Sequence, residues 1–107
     1  MIAAPPDPTL AAVLAYCNEA RAQLGLAAVS ALRGGERVNP WFCPICTTVG
    51  QDAPRWIEPE FDGSTLRVWR RGTRLLYLEC SAPPEVVRWS EEFDRGLHDW
   101  LARERAR

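Results

Sequence analysis

The sequence predicts an α+β domain: a helix, a short helix, a three-stranded antiparallel meander and a C-terminal helix, with the helices packed on one face of the sheet. Three observations carry this reading. Apolar residues recur at spacings of three and four between Leu10 and Leu24, the period of a helix with one buried stripe. Two glycine-containing turn signals, Asp62-Gly63 and Arg71-Gly72, divide residues 56–80 into three strand-length segments. Val86, Trp89, Phe93, Leu97, Trp100 and Leu101 then restore the helical period.

Each element has a local cause. Residues 1–6 read as a loose arm, and residues 7–107 as a single domain. Asp7-Pro8 supplies an N-cap and a proline at the first helical position. The first stripe is Leu10, Val13, Leu14, Cys17, Ala20 and Leu24, and Gly25 follows it as a helix stop. Leu26 to Leu32 is apolar without a firm period and reads as a short helical turn under that helix. Arg33-Gly34-Gly35-Glu36 is a loop and Asn39-Pro40 a turn. Pro44 to Val49 reads as a short helix, with Cys43 as N-cap and Gly50 as stop.

Strand-like patterning begins at Trp56. Trp56 to Phe61 is the first candidate strand, and Pro59 either confines it to a sheet edge or breaks it. Thr65 to Arg70 is the second strand and Thr73 to Cys80 the third. A two-residue turn at Arg71-Gly72 puts Val68 opposite Leu75 and Leu66 opposite Tyr77 on the core face. Arg67, Trp69, Arg74 and Leu76 then share the other face. Pro83-Pro84-Glu85 opens the final helix. Gly96 interrupts its stripe, marking either a close approach to another element or an earlier helix end. His98, four residues after Asp94, reads as one half of an exposed ion pair.

Composition narrows the function classes. With 107 residues, 47% hydrophobic and 25% charged, the chain is long enough for one modest core. A formal net charge of -1 offers no global attraction to nucleic acid or anionic membrane. No apolar run approaches the length of a membrane span, and the N-terminus has no apolar signal core, so the expected location is the cytosol. There the four cysteines are expected to be mostly reduced. All 13 basic residues are arginine, a GC-rich coding signature that hints at a bacterium of that type or its phage.

The most chemically pointed stretch is Trp41-Phe42-Cys43-Pro44-Ile45-Cys46. A Cys-X-X-Cys pair places two thiols on one turn, where they can form a disulfide or two corners of a zinc tetrahedron. A helix N-terminus at Cys43 favours its thiolate. Zinc is the candidate cofactor, held by Cys43 and Cys46 with Cys17 and Cys80 as distant completers. The bland alternative is a cap at Cys43 and three cysteines packed as small apolar groups. Trp41 ahead of the pair resembles the thioredoxin active site, which implies a dithiol oxidoreductase. Phe42 intervenes, however, and no β-α-β framework surrounds the motif.

A second constellation is cationic and aromatic. Arg67, Arg70, Arg71 and Arg74 cluster on one hairpin around Trp69. Such a set suits a protein interface or, less favoured here, nucleic acid. Its bland reading is a solvated hairpin whose arginine stems cover the indole. Catalytic groups are sparse: one histidine, no serine elbow, no glycine-rich phosphate loop, and Glu58 and Glu60 on an edge where they read as solvent-facing polarity.

The layout as a whole resembles small uncharacterised proteins of actinobacteria and their phages. The residues that carry this are Leu24-Gly25-Leu26, Cys43-Pro44, Pro84-Glu85-Val86-Val87, and Phe93-Asp94 with Gly96. The resemblance implies an origin and no activity. The expected function is therefore a non-enzymatic cytosolic protein-interaction domain, phage-derived and binding a host protein. Its expected surface is Arg67, Trp69, Arg70, Arg71 and Arg74, with Trp41 and Phe42. The alternatives are a zinc-stabilised nucleic-acid-binding domain and the dithiol oxidoreductase.

Overall fold

A computed structural model of the chain describes residues 7–102. The expected N-terminal arm and the last five residues lie outside them. The elements are α1 (Pro8–Gln23), α2 (Pro44–Val49), β1 (Ile57–Phe61), β2 (Thr65–Arg70), β3 (Leu76–Ser81) and α3 (Pro84–Asp94), followed by a 3-10 turn at Asp99–Leu101. The fold is α+β. The sheet has the order β1-β2-β3 with both pairs antiparallel. Helix α1 is the central layer and touches α2, α3 and β3, while α2 packs on β1.

Local chemistry starts α1 as the sequence requires. Asp7 is its N-cap, the Thr9 N–H donating to Asp7 Oδ1 at 2.8 Å, and Pro8 opens the first turn. Val13, Cys17 and Ala20 are buried as expected, but the buried face also takes Tyr16 and Arg21, while Leu14 stays half-buried. The Tyr16 hydroxyl accepts from the Leu66 N–H of β2 at 3.2 Å and donates to the Cys80 carbonyl of β3. Burial keeps that hydroxyl protonated, pushing its titration well above the ordinary tyrosine range.

Residues 26–32 form no helical turn, contrary to expectation. They run as an irregular strap. The reason lies on α1. The Asn18 amide exchanges two hydrogen bonds with Val29, at 3.0 and 2.9 Å, and Arg21 Nε donates to Ala27 O at 2.7 Å. Backbone groups that a helical turn would use are thus committed to side chains.

The register of the second hairpin also differs from expectation. Val68 pairs with Leu78, and Leu66 with Cys80. The loop is longer than two residues: Arg70 N–H donates to Leu75 O, and Thr73 Oγ1 bonds to Arg70 O at 2.8 Å. A bulge between Val68 and Trp69 then absorbs one further residue. A shift by an odd number exchanges the two faces of a strand. Leu78 and Cys80 therefore face the core, and Leu75 and Tyr77 are exposed. Tyr77 meets Trp56 edge-on, with ring centroids 5.2 Å apart.

The final helix ends earlier than its stripe. Gly96, at φ 85°, accepts the left-handed conformation that lets its N–H reach Phe93 O and lets the Leu97 N–H reach Glu92 O. Leu97 and Trp100 consequently leave the core side and are exposed. With the helix broken, His98 does not reach Asp94. Its ring stacks on Trp89 at 5.2 Å, and Nε2 lies 3.1 Å from Glu92 Oε1. Asp94 instead accepts the Val38 N–H at 2.9 Å.

The core joins Val13 and Cys17 of α1, Ile45 and Val49 of α2, Leu66 and Val68 of β2, and Val86, Trp89 and Phe93 of α3. Ile57 and Phe61 close it from β1. All these strand residues point to the helix side. Glu58, Glu60, Arg67, Trp69 and Glu79 are left on the other face, which no described helix covers.

Candidate functional site

The dithiol turn is held from four sides. Asn39 Oδ1 accepts the Trp41 and Phe42 N–H groups at 3.0 and 3.2 Å, turning the chain into Cys43. Glu36 N–H donates to Phe42 O at 2.8 Å. Gly35 lies so close that a Cβ there would stand 2.4 Å from Phe42 O and 2.5 Å from Pro44 N. Thr47 Oγ1 donates to Gly34 O at 2.9 Å, and Arg33 N–H donates to Thr48 Oγ1 at 2.9 Å. At the far end of α2, Arg21 Nη1 donates to Thr48 O, Val49 O and Gln51 O.

Cys43 is the N-cap of α2, Pro44 its first residue and Gly50 its C-cap, as the sequence indicates. Cys46 is the third residue of the same helix, so both thiols lie at its first turn. As a neutral thiol Cys43 makes no capping hydrogen bond. Once charged, its sulfur is stabilised first by the Cys46 thiol, and further by the Cys46 and Ile45 N–H groups, so its titration falls below the ordinary thiol value despite burial. The same interaction with Cys43, together with burial, pushes the Cys46 thiol up. The Cys46 S–H is directed at Pro40 O at 3.2 Å.

The other cysteines sit apart from this pair in role. Cys17 is fully buried, its S–H directed at Ile45 O at 3.9 Å, and burial pushes its thiol up. Cys80 lies on β3, where Gln23 Nε2 donates to its sulfur at 3.8 Å and desolvation raises its titration. Among the described residues no group of three or more His, Cys, Asp or Glu side chains is placed to hold a metal ion. None of the four cysteines forms a disulfide.

Trp41 connects the dithiol turn to the open sheet face. It borders a groove of about 620 Å³ together with Glu58, Glu60, Trp69, Arg70 and Arg74. The Trp69 indole N–H donates to Glu60 at 3.1 Å, leaving the ring half-buried. The arginines fall into two groups. Arg67 pairs with Asp62 at 2.8 Å and Glu79 at 2.9 Å. Arg71 pairs with Glu58 at 3.3 Å and donates to Arg55 O at 2.7 Å. Arg70 and Arg74 are exposed and have no side-chain partner among the described residues. Phe42 is half-exposed on the opposite side of Trp41, where it borders a second groove with Cys46.

Of the expected surface of Arg67, Trp69, Arg70, Arg71, Arg74, Trp41 and Phe42, the structure brings Trp41, Trp69, Arg70 and Arg74 to one groove and leaves Arg67, Arg71 and Phe42 outside its lining. The sequence reading centred on arginine and tryptophan. It passed over Glu58 and Glu60 as solvent-facing polarity. Their alternation with Ile57 and Phe61, against a partner strand carrying Arg67 and Trp69, was the available signal. Comparison with protein-family models, curated proteins and solved structures finds no match.

Proposed function

We propose that this chain is a non-enzymatic protein-interaction domain whose open sheet face takes an acidic, extended segment of a partner protein. One observation carries the reading: Arg70 and Arg74, free of side-chain partners among the described residues, border the same groove as Trp41 and Trp69. Of the groove's carboxylates, Glu58 is paired with Arg71, while Glu60, hydrogen-bonded only by the neutral Trp69 indole, sets one negative charge against the two free guanidiniums. The net uncommitted charge is thus positive. A guanidinium–carboxylate hydrogen bond contributes about 1.5–3 kcal/mol, and tryptophan with arginine is the pairing that dominates interface energetics. The resemblance to small actinobacterial and phage proteins supports a host protein in the cytosol as that partner. Zinc plays no part in this reading.

Nucleic acid also presents anions, so the test separates the two. A glutamate-rich peptide, its glutamine counterpart and a single-stranded oligonucleotide are titrated while tryptophan fluorescence is followed. The expected result is saturable binding of the glutamate peptide only, weakened about tenfold or more by Arg70→Glu with Arg74→Glu. Equal binding of the glutamine peptide, insensitivity to the double substitution, or steeply salt-dependent oligonucleotide binding in place of peptide binding overturns it.

A further inference from the structure

We propose that Cys43 and Cys46 form a reversible redox site, a dithiol that a small hydroperoxide such as hydrogen peroxide oxidises to an intramolecular disulfide. The argument is geometric and independent of the binding surface. The two thiols sit at the N-cap and third position of one helix, a spacing that brings both side chains to the same turn, so bond formation calls for side-chain rotation and little backbone movement. Their surroundings are unequal. Cys43 is the N-cap residue, at the helix end where first-turn N–H groups lack intrahelical partners, whereas Cys46 directs its S–H at the Pro40 carbonyl at 3.2 Å. One thiol is thus set up as the attacking sulfur and the other as the resolving one.

Access fixes the class of oxidant. Cys43 is 7% exposed and Cys46 3%. A protein disulfide would have to bring a sulfur in line with a sulfur sunk to that depth. A peroxide needs only a narrow opening, and Cys43 borders a surface groove of about 350 Å³ with Val38, Asn39, Ser90 and Asp94. The rim of this groove is unusual in its own right. Val38, a β-branched residue, is held at φ 53° with its N–H on the Asp94 carboxylate. Cys17, though near enough to feel Cys43 electrostatically, is fully enclosed and has no such opening.

The steps balance. The Cys43 thiolate attacks one peroxide oxygen, the O–O bond breaks, and the departing alkoxide or hydroxide takes a proton, leaving Cys43 as a sulfenic acid. The Cys46 sulfur then attacks Cys43 Sγ. An S–S bond forms, the S–O bond breaks, and hydroxide leaves with the Cys46 proton as water. Two thiols have lost two electrons to one peroxide. A small dithiol reverses the reaction by exchange.

The experiment exposes the folded full chain to hydrogen peroxide, blocks remaining thiols with maleimide under denaturing conditions, and maps peptides by mass spectrometry. The expected product carries a Cys43–Cys46 disulfide with Cys17 and Cys80 blocked, and dithiothreitol restores all four thiols. Cys46→Ser removes the resolving sulfur, so Cys43 should then be trapped by dimedone as the sulfenic acid. Cys43→Ser should give no dimedone adduct at Cys46. Circular dichroism establishes that each variant is folded. The wild-type peptide map stands alone if either is not. Oxidation of the more exposed Cys80 ahead of Cys43, a disulfide between chains, or Cys43 carried to sulfonic acid without a disulfide overturns the proposal.

Discussion

Arg21 Nη1 donates to the carbonyl oxygen of Gln51 at 2.7 Å, joining the last turn of the structure's central helix to the chain just beyond the dithiol helix. The same nitrogen lies 3.1 Å from Thr48 O and 3.0 Å from Val49 O, and Nε holds Ala27 O. Two N–H bonds face three carbonyls, so at least one is shared. Among the described residues no carboxylate pairs with this guanidinium, which is 3% exposed. Its compensation comes from carbonyls at the end of α2, where the helix dipole is negative. Arg21 therefore acts as the C-terminal cap of a helix too short to be stable alone.

Arg21→Met tests that role. Methionine fills much of the volume but leaves several buried carbonyls without donors, and the expected loss is about 3 kcal/mol in urea unfolding. Arg21→Lys retains the charge with fewer, undirected donors and should recover only part of it. A loss below about 1 kcal/mol for the methionine variant would mean that water replaces the guanidinium at those carbonyls.

Gly35→Ala probes the clamp on the dithiol turn. The added methyl would meet Phe42 O at 2.4 Å and Cys43 C at 2.5 Å, which are backbone atoms of a turn already tied down at both ends. Nothing flexible can yield, so the expected destabilisation is about 3 kcal/mol or more. Gly96→Ala is the control. There the near atom is the end of the Arg37 side chain, and the main cost is the positive φ, about 1 kcal/mol. Thermal unfolding of both should put Gly35→Ala well below Gly96→Ala. The reverse order would show that residues 34–36 move away at little cost.

These relationships also mark how far the sequence could be read. Pro44 at a first helical position, with Cys43 before it and Gly50 after, is a local signal, and α2 has those bounds. The same holds for Asp7-Pro8 and for the three strands, whose number and order follow from turn residues. The pairing register does not, because Thr73 widening a loop and a bulge at Trp69 are settled by three-dimensional fit. Arg21 was invisible for a related reason. Its partners are backbone carbonyls up to thirty residues away, which leave no mark in side-chain identity. In the groove, residue types pointed to Trp69, Arg70 and Arg74. Which arginines were already paired depended on Asp62, Glu79 and Glu58 being brought near, a matter of register again.

The first hairpin gives a pH-dependent prediction. Asp62 Oδ1 accepts the Ser64 and Thr65 N–H groups at 2.9 and 2.8 Å, and Oδ2 accepts from Arg67 at 2.8 Å. The Ser64 N–H first, then Arg67, hold its carboxyl well below the usual carboxylate range. A depressed folded value means that the contribution is complete above the unfolded value and lost as pH falls through the folded one. The side chain is 41% exposed, so solvent screening reduces that contribution to about 1 kcal/mol. Asp62→Asn should therefore be less stable than wild type by about 1 kcal/mol at neutral pH. The gap should narrow progressively below about pH 4, where the unfolded aspartate takes up its proton. Comparing the two proteins at each pH cancels the titration of every other carboxylate. A gap that stays constant from neutral pH into acid would show that the turn relies on the shape of the Asp62 side chain alone. Arg67 would then owe its position to Glu79.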